Sequence, residues 1–386
     1  MSHHHHNHLL EEIKNKTSNH TCPTHAVSED ETKNLVGDLS FYHFNMIISG
    51  ACTILATLII LALMIRHTTH FSNPVEQVRV MRISILVPIY GIFSFLAVCF
   101  PSDYVEFTAW PDPFEGIALF SFFLLLCEFL ASDDEQRMQI IASQQVKKLC
   151  KSTPVNGFTW FKQTYWCIIQ YPFIALITTI ITCITQVAEV YCLDSKEPYF
   201  AHIWMTIIKN LSVSIAVASA VKFYMQMKSY MEGSRAMAKL LAFKLIVGLV
   251  FFEDILFTIL RSANVLKANS VMTYTDITMG LPTMIICIQM VPLACFFHFA
   301  YSVTPYSGIS KGTFSSSYQP VADFEVKKPT KYQGGPLGIN AWLLFLNPLD
   351  FVREIQYPLA LLRMSGLNGE HEVLTTEMQQ ERYEGL

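Results

Sequence analysis

Charge is scarce in this sequence. Asp, Glu, Lys and Arg make up 15% of its 386 residues and apolar residues 52%, a balance that would leave a water-soluble protein of this size with far too much exposed apolar surface. Part of its solvent must therefore be lipid. A basic surplus is also missing, since the net charge is −4 and the pI about 6.3, which argues against nucleic acid as a partner. No apolar run of signal-peptide length occurs before the first long one, because the His run His3 to His6 is followed by His8, Glu11, Glu12 and Lys14. The first membrane span is expected to target the chain itself, and the His run reads as a solvated stretch without a role. The ten cysteines lack metal-ligand spacing. Gly-x-Ser-x-Gly, His-Glu-x-x-His and paired intramembrane Asp motifs do not occur either, so neither an enzyme nor a cofactor is expected.

Long apolar runs are abundant. Seven segments, near 44–65, 83–100, 114–131, 166–187, 203–224, 240–260 and 280–301, are long enough at 1.5 Å per residue to cross roughly 30 Å of hydrocarbon. The second and third are short and should extend into their flanks or stand nearly upright. Loops one, three and five carry three, five and three Lys or Arg, against none, one and two in loops two, four and six. The positive-inside rule then places the odd loops and the C-terminal tail in the cytosol, and the N-terminal tail outside. The expected fold is an all-α integral membrane protein, a seven-transmembrane-helix bundle with an external N-terminus. Its parts are an exoplasmic tail (1–43), the bundle (44–301), a Ser-, Gly- and Pro-rich cytosolic linker (302–336), an interfacial helical segment anchored by Trp342 and Phe351 (337–364) and a disordered polar tail (365–386).

Asn15 and Asn19 each open a glycosylation sequon in the tail expected outside. Cys22 and Cys192 fall on the same side and are read either as a disulfide or as two free thiols. Cys150, within Lys147-Lys148-Leu149-Cys150-Lys151, is a juxtamembrane cysteine that is either S-palmitoylated or a free thiol beside anionic lipid.

Gln77, Arg82-Ile83 and Leu86-Val87-Pro88-Ile89-Tyr90, then Phe114-Glu115 followed by Phe120-Ser121-Phe122-Phe123 and Leu125-Leu126, resemble the organic solute transporter subunit alpha and transmembrane protein 184 family. Weaker similarity runs through Gln170-Tyr171, Asn210 with Ser212, Phe223-Tyr224, Lys239 with Phe243-Lys244 and Asn347-Pro348-Leu349-Asp350. The resemblance implies a seven-helix bundle that passes amphipathic organic solutes of the steroid-conjugate type by facilitated diffusion, together with a single-span beta-type subunit. A homo-oligomer is the other assembly considered. Gln289 stands where the family commonly has Glu, so any coupling through that carboxylate is absent from this chain.

Ionisable side chains inside the bilayer cost about 2.5–3.5 kcal/mol each at the helix centre and should face a partner or water. Lys209 and Asn210 lie at the same expected depth as Glu253 and Asp254, so Lys209 is expected to pair with one carboxylate. The cluster then either lines a solute cavity or locks two helices together. Glu128 matches Lys244 in depth, and the two either pair or snorkel to the interface. His298 is read as a packed histidine, Arg82 and Glu115 as charges anchoring topology at the two interfaces, and Pro88 as a kink. The leading function is a passive transporter in a multi-pass plasma membrane or endomembrane protein. The alternative is a receptor or scaffold that recruits cytosolic partners through its tail.

Overall fold

The computed structural model describes residues 37–131, 134–148, 151–193, 197–231, 236–263, 271–306 and 331–347, with Cys22, Asn34, Leu35, Ser195, Val265, Ala268, Leu349, Val352 and Ile355. Helix α1 (Phe41–Thr69) starts at Ser40, whose hydroxyl accepts from the His43 N–H. After a short turn, Asn73 caps α2 (Pro74–Ser84), with Pro74 at the position where a missing N–H costs nothing. Ile85 separates α2 from α3 (Leu86–Cys99). Pro88 cannot donate to the carbonyl four residues earlier, and that carbonyl belongs to Ser84, where the first segment ends.

A single turn over Pro101–Asp103 leads into α4 (Tyr104–Ala109) and α5 (Pro111–Leu130). Spans two and three are thus 26 residues (Pro74–Cys99) and 30 residues (Pro101–Leu130) long. Their apparent shortness in the sequence came from the polar residues and prolines that break the apolar run without ending the helical path.

Helix α6 (Asp134–Ala142) and an antiparallel hairpin, β1 (Gln145–Lys148) with β2 (Lys151–Asn156), fill the third loop. The strands pair Val146 with Val155, and this hairpin is where the fold departs from an all-α expectation. The long α7 (Gly157–Val187) follows, capped by Asn156, then α8 (Ala201–Met227), α9 (Ala236–Ser262), a π turn over Asp276–Gly280, α10 (Leu281–Ala300) and the tail helix α11 (Ile339–Leu346).

Six helical segments among the described residues are long and apolar enough to cross a membrane: Phe41–Thr69, Pro74–Cys99, Pro101–Leu130, Gly157–Val187, Ala201–Met231 and Asp276–Tyr306. Helix α9, with 27 residues, is long enough but carries Lys239, Lys244, Glu253, Asp254 and Arg261 and falls outside that set. Helix α10 packs on α1 and α3, α5 lies between α2 and α7, α8 leans on α7, and α9 leans on α10. The centre of this arrangement is α5, whose Phe120, Phe122, Phe123, Leu125 and Leu126 are fully buried. Phe122 stacks on Phe243 at 5.5 Å between ring centroids, and Phe123 meets Phe223 edge-on at 5.0 Å.

The upper end of the bundle holds the turn at Pro101 and the α7–α8 loop, which a Cys22–Cys192 disulfide ties to the N-terminal tail. At the lower end the tail docks back on the bundle. The Gln333 N–H donates to the Phe71 carbonyl at 2.7 Å. Gly338, at φ +78°, lies where a Cβ would come within 2.8 Å of Thr68, so a side chain there would prise the tail away. Trp342, Phe345 and Ile355 pack on the main core, and the Tyr165 hydroxyl donates to the Ile355 carbonyl at 2.7 Å. The opposite face of α11 leaves Leu343 and Leu346 exposed. Phe351, the second expected anchor, lies outside the described residues.

Candidate functional site: a buried carboxylate beneath a polar cavity

Helices α5 and α7 come together at a glycine. A Cβ on Gly116 would lie 2.6 Å from the Cα of Pro172, so only a residue without a side chain allows this approach. The close contact sets Glu115 beside Tyr171. The Tyr171 hydroxyl donates to Glu115 Oε1 at 2.8 Å, and the Tyr90 hydroxyl, from α3, donates to Oε2. Three spans thus meet on one carboxylate that is only 5% exposed, with one phenol for each oxygen. A buried acceptor left without a partner costs about 1–3 kcal/mol, and the two phenols leave neither oxygen of Glu115 in that state.

This overturns the expectation that Glu115 anchors topology at the interface, because the side chain points into the bundle instead of toward headgroups. Arg82, expected to anchor the other interface, is likewise buried at 6% exposure. Tyr171 was not singled out from the sequence as a site residue. Its signal was the Gln170-Tyr171 pair, whose meaning depends on which helix faces α5.

One turn above Glu115, Asp112 pairs with Lys209 Nζ from α8 at 3.0 Å. Both line a cavity of about 70 Å³ together with Thr108, Thr178, Thr179, Thr182, Tyr191 and Thr206. At roughly 10–15 Å³ for each water-sized probe, the space suits about five waters or a small polar head, and it excludes a sterol nucleus. Lower on the α7–α8 contact, the Ser212 hydroxyl donates to Gln170 Oε1 at 2.7 Å, and Gln170 Nε2 returns a bond to the Ser212 carbonyl at 3.1 Å.

The polar cluster expected around Lys209 divides into two. Lys209 pairs with Asp112, whereas Glu253 accepts from Gln289 Nε2 at 3.0 Å. The reason is packing: α8 leans on α7 and α5, and α9 leans on α10, so equal depth does not bring the two groups together. Asn210 is half-buried beside Lys209, and the Asp254 side chain lies outside the described residues.

At the lower end Glu128 pairs with Arg137 at 3.0 Å and with Arg79 at 3.6 Å instead of with Lys244, which is exposed. Gln77 is buried at the α1–α2 turn, where Oε1 accepts from the Ser72 and Asn73 N–H groups and Nε2 donates to the His67 and His70 carbonyls. His298 is packed, with Nε2 at 3.1 Å from the Ile59 carbonyl oxygen. Asn15, Asn19 and Cys150 lie outside the described residues. Among the described residues, no group of three or more His, Cys, Asp or Glu could hold a metal ion.

The sequence profile described as organic solute transporter Ostalpha matches residues 45–306, from the second turn of α1 to the end of the last described membrane-crossing segment. The chain belongs to the organic solute transporter Ostalpha family. Among curated proteins, it is similar to protein LAZ1 of Arabidopsis thaliana, 25% identical over 297 residues that cover 72% of this chain and 61% of that protein. A transmembrane protein 184 homolog of Dictyostelium discoideum is 24% identical over 266 residues, covering 66% of this chain and 52% of that protein. The chain thus spans between half and two thirds of the length of these relatives. No solved structure matches it. Gln77, Arg82, Pro88, Tyr90 and Glu115 all fall within the region matched to the Ostalpha family, as do Asp112, Tyr171 and Lys209. The protein is a multi-pass membrane protein of a transporter family.

Proposed function

We propose that this protein is a passive transporter for amphipathic organic solutes or lipid-like molecules, with its polar station at the cavity formed by α4, α5, α7 and α8. The observation that supports this most is the pairing of a water-sized polar cavity with a buried carboxyl hub, Glu115–Tyr90–Tyr171, inside membrane-crossing helices. The hub joins three spans, and it lies directly below the cavity, where an ionisable group has access to a polar path. In this reading α9 is the seventh span, with Glu253 satisfied by Gln289. The end with the disulfide and the few basic residues faces outside, the basic lower end faces the cytosol, and Asn15 and Asn19 are glycosylation sites.

Steroid conjugates are the solute class that the resemblance implies and the first to test. A single-span beta-type subunit or a second copy would sit against the exposed apolar face of α8. The test is uptake of a labelled steroid conjugate into proteoliposomes holding the purified protein, with and without a candidate beta-type subunit. Flux above empty liposomes, lowered by Glu115→Gln, is the expected result; no flux for any amphipathic solute tested would sink the reading. The docked tail favours a second reading, a scaffold whose α11 presents Leu343 and Leu346 to a cytosolic partner. Flux that survives removal of residues 331–386 while partner capture is lost would separate that role from transport.

A further inference from the structure

The polar cavity has a roof. Its walls come from α4, α5, α7 and α8, and among the described residues of the α7–α8 loop only Tyr191 lines it. Tyr191 is buried, with its ring 5.1 Å from that of His202 at the start of α8. The loop leaves α7 beyond the lining residues Thr178, Thr179 and Thr182 and enters α8 just before the lining residues Met205 and Thr206. Tyr191 therefore closes the cavity at the upper end of the bundle, above Lys209.

The backbone that carries Tyr191 is strained. Three non-glycine residues among those described adopt a left-handed φ, and two of them flank Tyr191: Glu189 at +61° and Cys192 at +47°. At such a φ the Cβ of an L residue crowds the following carbonyl, and the conformation persists only where its surroundings hold it. Two sets of bonds hold it here. The Ala201 N–H donates to the Val190 carbonyl at 3.0 Å, and the His202 N–H donates to the Tyr191 carbonyl at 3.1 Å. Both donors lie in the first turn of α8, where an N–H has no partner within the helix, so water can replace the loop carbonyls if the loop lifts. The other bond is covalent, since Cys192, next to Tyr191, is joined to Cys22. A staple that served only to fix the N-terminal tail would need no strain in the loop it holds; this one is attached to a strained residue beside the cavity roof.

We propose that Tyr191 is a lid on the cavity and that the Cys22–Cys192 disulfide is the latch that keeps it shut, so that cleaving the disulfide opens the cavity to water at the upper end. A dithiol cleaves it by exchange: the S–S bond takes up two electrons and two protons, Cys22 and Cys192 become thiols, and the dithiol becomes a disulfide. Gating of solute entry by this lid rests on the transporter reading; access of small water-borne molecules to the cavity does not.

The test uses the full chain in phosphatidylcholine nanodiscs, where both ends of the bundle meet the solution. Thr178→Cys puts a reporter thiol on the cavity wall, at a residue 4% exposed, and Ser121→Cys puts a second one in the α5 core, at a fully buried residue. Alkylation of each by iodoacetamide is followed by peptide mass spectrometry, which separates the reporter from the native cysteines. With the disulfide intact, the reporter of Thr178→Cys is expected to react slowly. Cys22→Ser combined with Cys192→Ser, and separately Tyr191→Ala, should each speed its reaction about tenfold or more, the factor for releasing one strained residue, and leave the reporter of Ser121→Cys unreactive. Dithiothreitol, given to the assembled protein and removed before alkylation, should act like the serine pair, which keeps the test decisive if that variant fails to fold.

An unchanged rate for Thr178→Cys once the bond is reduced, or in Tyr191→Ala, would overturn the proposal. So would an equal rise for Ser121→Cys, the mark of a bundle loosened throughout. A faster reaction of Thr178→Cys without flux of any solute would leave the lid standing and remove the transporter reading. Steroid-conjugate flux, with a reporter rate that ignores the disulfide, would do the reverse.

Discussion

Spans Pro101–Leu130 and Ala201–Met231 are alike as hydrophobic sequences, with mean hydropathies of 1.8 and 1.5 over an 18-residue stretch of each, yet 78% of that stretch is buried inside the bundle in the first and only 17% in the second. In lipid, an exposed leucine costs nothing, so hydropathy alone cannot say which helix is central. The difference comes from small and polar residues. The central span has Gly116 against Pro172, Glu115 held by two phenols, and Ser121 in the core. The peripheral span has bulky residues facing out and keeps its contact with α7 through Ser212 and Gln170.

The strongest challenge to this contrast is Gly116→Leu. With backbone atoms 2.6 Å from the new Cβ, α5 and α7 must separate, so thermal unfolding should show a loss of about 1–3 kcal/mol or more. Gly248→Leu on α9, where a new Cβ would meet no atom of a neighbouring helix within 4 Å, should melt like the wild type. Next is Tyr171→Phe, which withdraws the donor from Glu115 Oε1. Its expected cost is about 1.5–3 kcal/mol, seen as a lower Tm together with slower flux.

On the peripheral helix, Ser212→Ala strands Gln170 Oε1 and should cost about 1 kcal/mol in the same melt. The smallest effect belongs to Leu211→Ala, at 61% exposure, expected to stay within about 0.5 kcal/mol. A Leu211→Ala cost as large as that of Tyr171→Phe would mean that a partner chain covers α8.

Much of the architecture is legible in the residues themselves. Apolar runs mark the membrane-crossing segments, and Pro88 and Pro111 mark the places where spans two and three are built from pieces. The motif residues Tyr90 and Glu115 stand out in two consecutive spans, but nothing local shows that they touch each other. Asp112 gave no signal, because an acid beside two prolines at a helix start reads as an ordinary first-turn residue. Lys209 stood out as a buried cation, and matching its depth suggested a partner on α9. Depth is one coordinate, however, and pairing needs the angular position of each helix as well.

The sequence by itself determined the solvent of this protein, the run of its helices and its family, because hydropathy, loop charge and motif spacing are properties of the chain read along one dimension. Tertiary structure alone decided that Glu115 faces inward and that Lys209 chooses Asp112 over Glu253. Those outcomes depend on which helices are neighbours and how they are rotated. In a bilayer that is settled by close approach at small residues and by hydrogen bonds between buried polar groups, not by how apolar each helix is.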